Sequence, residues 1–168
     1  MHLTVNRCFC YTHFRFMLTT PHSLIGMVVI TRFPNFLGII LAIVSHFLLD
    51  FFIPHWNPHL YTEFKQNKKI SSSSYKLVIL DGLIGVSLTL FFMWRLLPDV
   101  KLAFLTGLGS FMGVFPDSLE IPYYFLGYKA QWMKFYADFS HKYQSNGVFV
   151  WGMITQILVV LACLKVLL

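Results

Sequence analysis

Apolar and polar positions follow one another along this chain in blocks rather than one by one. Long apolar runs occupy Phe36 to Ile53, Leu77 to Leu97 and Gly147 to Leu168. Each is near the roughly 20 residues that a membrane-crossing helix needs. Two shorter runs, Ser23 to Phe33 and Leu102 to Pro116, fit tilted, extended or partly inserted helices. Proline punctuates the blocks: Pro34-Asn35 turns the first run into the second, Pro54 and Pro58 end the second, and Pro98-Asp99 joins the third to the fourth. The pattern predicts an all-α fold, a polytopic membrane helix bundle of about five hydrophobic segments. Thr20 before Pro21 predicts the start of the first helix, with Thr20 as its N-cap. Residues 57–75 are polar, contain a four-serine run and read as a flexible loop.

Residues 130–146 differ in kind. Trp132, Phe135, Tyr136, Phe139 and Tyr143 share one helical face, and Lys134, Asp138, His141 and Lys142 occupy the other. That pattern predicts an amphipathic helix lying in the membrane interface; a soluble helix packed on the loops is the alternative.

Ionisable residues interrupt the apolar blocks at matched heights. His22 and His46 are equally far from the turn at Pro34, and Asp81 and Asp117 are equally far from the turn at Asp99. Helical rise is constant, so partners equidistant from a turn sit level. Asp50 follows His46 by one helical turn and shares its face. Two histidines and three aspartates thus come to one end of the bundle. Placing Asp at the centre of a membrane helix costs about 2.5–3.5 kcal/mol, so several such groups at one level call for mutual compensation.

Composition supports the membrane reading. The chain is 57% hydrophobic and 12% charged, too apolar for an ordinary soluble domain. The net charge of +6 does not signal nucleic acid. Lys65, Lys68, Lys69 and Lys76 flank the 54–76 loop, and Lys129, Lys134 and Lys142 lie in the 117–146 segment. Two spans separate these loops, so both fall on one side; the other carries Arg32, Arg95 and Lys101. The positive-inside rule makes the lysine-rich side cytoplasmic, where it also suits anionic lipid headgroups.

A cation is the compensation the residue types suit. His46 and Asp50 make a bidentate clamp, and His22 adds a nitrogen from the neighbouring helix. Such a nitrogen and oxygen set suits a divalent zinc, manganese, iron or nickel ion, with zinc or manganese favoured. Each residue also has a plainer role open to it: His46 bonded to a carbonyl, Asp50 capping a helix end, Asp117 capping the following helix with Glu120 as its capping-box partner. His55 and His59, just outside the second helix, read either as surface-loop histidines or as a further ligand or a substrate-facing acid or base, and Asp81 and Glu120 are further proton-transfer candidates. Cys8 and Cys10 form a lone C-x-C that falls short of a zinc framework, and Cys163 reads as packing. Residues 1–16 read as an N-terminal extension, and 17–168 as one integral membrane domain.

Met17 to Gly26 (Met-Leu-Thr-Thr-Pro-His-Ser-Leu-Ile-Gly), Ser45-His46-Phe47-Leu48-Leu49-Asp50 with Pro54-His55, and Gly113-Val114-Phe115-Pro116-Asp117 resemble the bacterial inner-membrane-associated metal-dependent hydrolase family of the LexA-regulated type. The resemblance covers about residues 17–165. It implies that His22, His46, Asp50 and Asp117 are metal ligands, and that the activity is hydrolysis, with phospholipid as a substrate. Many members carry Pro-Asp-x-Asp in an early loop. Here Pro-Asp occurs late and is followed by Ser118-Leu119-Glu120, which marks a short, divergent branch.

The expected function is therefore metal-dependent hydrolysis of a phospholipid or another ester or phosphoester at the cytoplasmic face of the bacterial inner membrane. Membrane lipids are the expected partners, with His55, Asp81 or Glu120 moving the proton. A non-enzymatic ion or proton carrier, or a metal-stabilised assembly factor, is the alternative. Clustering of the ionisable groups at one end argues against a carrier, whose site opens to both sides in turn.

Overall fold

The computed structural model describes residues 18–56, 60–143, 145 and 148–168. The expected extension at 1–16, with Cys8 and Cys10, lies outside the described residues. Among those described the fold is all-helical, with eight helices: α1 (Thr19–Arg32), α2 (Phe36–Phe52), α3 (Leu60–Asn67), α4 (Ser72–Arg95), α5 (Val100–Ser118), α6 (Ile121–Phe125), α7 (Gln131–Tyr143) and α8 (Phe149–Leu167). Helices form over all five apolar runs. Two of them, α4 and α8, are long and apolar enough to cross a membrane, and α2 is a shorter apolar helix. Neither α4 nor α8 is a core helix, because only 17% of each one's most apolar stretch is buried. Their outer faces expose Leu83, Val86, Leu90 and Trp94 on α4, and Trp151, Leu158 and Leu161 on α8.

The short helix α1 is the hub. It packs against α5, α2, α4 and α8, and its Leu24, Met27 and Ile30 are fully buried. Its crossing with α5 is unusually close. A Cβ on Gly26 would lie 2.2 Å from the Gly109 carbonyl oxygen, and one on Gly113 would lie 2.3 Å from the His22 carbonyl oxygen. The Gly109-x-x-x-Gly113 spacing puts two bare backbone positions on one face, which lets membrane helices approach this closely.

Three local expectations are corrected. Thr20 does not cap α1: the helix begins one residue earlier, Leu18 stands at the cap position, and no local side chain caps it. The cap is instead Asp81 of α4, which accepts from the Thr19 amide at 2.5 Å and from the Thr20 hydroxyl at 2.6 Å. The 57–75 segment is not one loop: α3 forms within it, and the serine run opens α4, with Ser71 accepting from the Ser74 amide. Asp117 caps nothing, because α5 continues through Pro116 to Ser118 and α6 starts after Glu120 without a side-chain cap.

The amphipathic stretch is helical as expected. On α7, Ala137 and Ser140 face the protein, while Trp132 and Phe135 are exposed. Tyr143 of the aromatic face approaches Phe51 of α2, with ring centroids 6.2 Å apart, and Tyr136 is half-buried.

Candidate metal centre

Each residue of the centre is placed by an element that starts or stops nearby. His22 lies in the first turn of α1, whose position Asp81 fixes. Asn35 caps α2 by accepting from the Gly38 amide, and α2 then carries His46 and Asp50 down to the same end. Asp117 sits in the last turn of α5, and His55 lies just beyond α2.

The side chains converge. His22 Nε2 lies 3.2 Å from Asp50 Oδ1, and His46 Nε2 lies 3.6 Å from Asp50 Oδ2 and 3.6 Å from Asp117 Oδ1. His55 Nε2 approaches Asp50 Oδ1 to 3.9 Å. One ligand atom from each of His22, His46 and Asp117 fits within a 4.8 Å spread. The rings of His22 and His46 lie 4.1 Å apart. His22 and His55 are fully buried, His46 and Asp50 are 2% exposed, and the Asp117 side chain, at 21%, is the open edge of the group.

Two of the imidazoles are fixed in one tautomer. His46 Nδ1 donates to the Gly113 carbonyl at 2.9 Å, and His55 Nδ1 donates to the Ile53 carbonyl at 2.7 Å. A carbonyl only accepts, so each Nδ1 holds a proton, and in the neutral imidazole each Nε2 carries the lone pair on the side of Asp50. This is the outer-shell arrangement that orients histidine ligands. Burial keeps the His55 imidazole below its ordinary pKa, which favours the neutral, ligating form. His22 meets the centre through Nε2, which faces Asp50 Oδ1.

These features fit a cation. Asp50 and Asp117 are the two acids that face the imidazoles, and a divalent ion would match the charge of both as carboxylates. Tetrahedral ligands about 2.0–2.2 Å from a zinc ion stand about 3.3–3.6 Å from one another, the range of the closest separations here.

The remaining candidates occupy a surrounding layer. The Asp81 carboxylate also accepts weakly from the Thr20 amide, so it is taken up by the first turn of α1 and acts there as a positioning group. Glu120 is buried beside Ser140 and Tyr124, and burial, then the Asp117 charge, raises its pKa well above the carboxylate range. Tyr136, counted in sequence with the aromatic face of α7, is half-buried. Burial raises its phenol pKa first, and the charges of Glu120, Asp117 and Asp50 add to this. His141 stacks on Tyr61 at 3.8 Å, and His59 lies outside the described residues.

Sequence reasoning missed the brace on the other side. Gln156 of α8 is buried; its Oε1 accepts from the Leu18 amide at 3.0 Å and its Nε2 donates to the Trp56 carbonyl at 2.6 Å. It thereby ties the start of α1 to the His55 segment. Gly152, one turn earlier, lets that segment touch α8, since a Cβ there would lie 2.3 Å from the Trp56 nitrogen. A lone glutamine in the apolar run was the available signal.

Beside the centre lies an apolar cavity of about 330 Å³, whose walls include Val78, Gly82, Val114 and Tyr124 and whose acidic end carries Asp117 and Glu120. Comparison with protein families, curated proteins and solved structures returned no match.

Proposed function

We propose that this chain is a polytopic membrane protein that holds a divalent cation, zinc or manganese, on His22, His46, Asp50 and Asp117 and hydrolyses an ester or phosphoester of a membrane lipid. The carrying observation is the convergence of two imidazoles and two carboxylates from three helices, of which His22, His46 and Asp117 can each present one ligand atom within 4.8 Å of the others while Asp50 touches both imidazoles. The resemblance to the inner-membrane hydrolase family supports the same ligand set. The exposed apolar faces of α4 and α8 and the exposed Trp132 and Phe135 of α7 support insertion, with α7 at the interface. The lysine-rich loops lie at the end of the bundle that carries the centre, and on the positive-inside rule that end is cytoplasmic.

A bound divalent ion would lower the pKa of a water to near 7 and polarise the scissile phosphoryl or acyl oxygen. The protein's own groups have separable tasks. His46 and His55 hold their Nδ1 protons on carbonyls, so their Nε2 atoms stay available. Asp117, the most exposed ligand, faces the cavity from which substrate would come. Glu120, kept protonated by burial, is placed to give a proton to a leaving oxygen.

A purely structural ion is favoured by one observation, the near-complete burial of His22, His46 and Asp50. Metal analysis of the detergent-purified protein, followed by hydrolysis assays on phospholipids, separates the readings. Equimolar metal with turnover, both lost in His46→Ala and Asp50→Asn, is the expected result. Metal without turnover across the panel would favour the structural ion, and absence of bound metal in folded protein would end both.

A further inference from the structure

The cavity beside Asp117 does not end there. A second cavity, of about 340 Å³, continues along α4 and α5 past Val86, Leu90 and Phe111. The two share Thr19, Gly82 and Val114, so they meet at Gly82 and form one groove. Between Val78 and Leu90, α4 rises about 18 Å at 1.5 Å per residue. The hydrocarbon of one leaflet is about 15 Å deep, half of the roughly 30 Å core. The groove therefore has the length of one lipid tail; Asp117 and Glu120 lie at one end, and Asp81, beside the junction, is taken up by the first turn of α1.

Its chemistry beyond that end is apolar. Beyond Thr19 at the junction, the hydroxyls of Ser23, Thr89 and Ser110 reach the wall, but they are turned on one another: Ser110 lies 2.7 Å from both Ser23 and Thr89. Thr89 also donates to the Gly85 carbonyl. A polar ligand would find few unengaged partners there, whereas an alkyl chain needs none. The outer wall is open sideways, with Val86 and Leu90 more than half exposed, so access is from the bilayer rather than from water.

Gly82 points the same way. Glycine weakens a helix interior, and Gly26, Gly109 and Gly113 are each required by a close backbone contact. A Cβ at Gly82 would meet no atom within 4 Å. Packing does not require glycine there; a larger side chain would project into the groove where its two halves meet.

We infer that this groove holds one acyl chain of a membrane lipid, with the ester or phosphoester end of that lipid at Asp117 and Glu120. The inference rests on the hydrolase reading for what happens at that end, but not for occupancy of the groove. The test uses the full chain in phosphatidylglycerol nanodiscs doped with a phosphatidylglycerol whose acyl terminus carries a photoactivatable diazirine. Labelled peptides are mapped by mass spectrometry, and bound metal is measured on the same samples. Labelling should concentrate on Val86, Leu90 and Phe111. Gly82→Phe should cut it by about tenfold, the equivalent of losing about 1.4 kcal/mol of binding, with bound metal unchanged. Gly82→Ala controls for helix folding, and Val86→Trp blocks the outer wall if Gly82→Phe does not fold. Labelling spread evenly onto Leu158 and Leu161 of α8, or undiminished in both folded blocking variants, would overturn the inference. Metal-free protein with groove labelling intact would overturn the hydrolase reading and leave the acyl site standing.

Discussion

Replacing Gly113 by alanine adds one methyl group where α5 crosses α1. That Cβ would lie 2.3 Å from the His22 carbonyl oxygen, 3.2 Å from its carbonyl carbon and 3.3 Å from Gly26 Cα. Carbon-to-oxygen contacts normally begin at about 3.3 Å, so the helices must part by about 1 Å. All three obstacles are backbone, and no side chain can turn aside. Overpacking of this kind costs about 1–3 kcal/mol. The damage extends beyond stability, because His22 rides on α1, Asp117 rides on α5, and the Gly113 carbonyl anchors His46. Metal sites tolerate ligand displacements of about 0.2 Å, and disturbance of supporting groups weakens binding about 10- to 100-fold. A hundredfold loss removes about 2.7 kcal/mol of metal-linked stabilisation at the same metal concentration. Gly82→Ala is the contrasting change, since its Cβ meets nothing and the helix gains up to about 1 kcal/mol. Thermal unfolding in detergent, with and without zinc, reads both. Gly113→Ala should melt lower and respond little to zinc; Gly82→Ala should melt as high as the parent or higher and respond fully. Equal shifts for the two variants, or an undiminished zinc response in Gly113→Ala, would refute the close α1–α5 crossing as the frame of the centre.

Asp81→Asn removes a charged cap from α1 and should cost about 0.5–2 kcal/mol, with metal affinity reduced rather than abolished; complete loss of turnover with normal metal affinity and melting would instead make Asp81 a proton carrier. Gln156→Leu removes the hydrogen bonds to the Leu18 amide and the Trp56 carbonyl, each worth about 0.5–1.5 kcal/mol, and should lower the melting temperature and weaken zinc binding; parental values for both would remove the brace. Glu120 has a folded pKa above its unfolded one, so the folded state binds the extra proton, and its cost to stability grows as pH rises above about 4.5 towards the raised value. Glu120→Gln should therefore flatten the alkaline side of the stability profile, and an identical pH dependence in parent and variant would show that the carboxyl ionises freely.

What was legible in the sequence is what depends on local rise and turns. The Pro34-Asn35 turn and constant helical rise place His22 level with His46, and their rings do meet. The His46 and Asp50 pair follows from spacing on one helix. What was not legible depends on a second element. Thr20-Pro21 looks like a self-sufficient helix start, yet the cap comes from α4. The serine run has the composition of a linker, but Ser71 at the cap position and the apolar residues after it make it the first turn of α4. Gly109 and Gly113 carry their meaning only against the backbone of α1, and Gln156 only against two segments far from it in sequence.

Asp50 and Asp81 show why the composition of the centre needed the fold. Each is a single acid in an apolar helix, and burial penalises both alike. Asp81 meets the positive end of α1, where two amides and a hydroxyl point at it, so helix dipole and hydrogen bonds satisfy its charge without an ion. Asp50 faces the imidazoles of His22, His46 and His55 instead. That division fixes the charge of the centre. Had Asp81 joined Asp50 and Asp117, three carboxylates would carry one charge more than the proposed divalent ion cancels. With Asp81 held by α1, the two remaining carboxylates match the charge of that proposed ion, and the same contact fixes the start of the helix that carries His22.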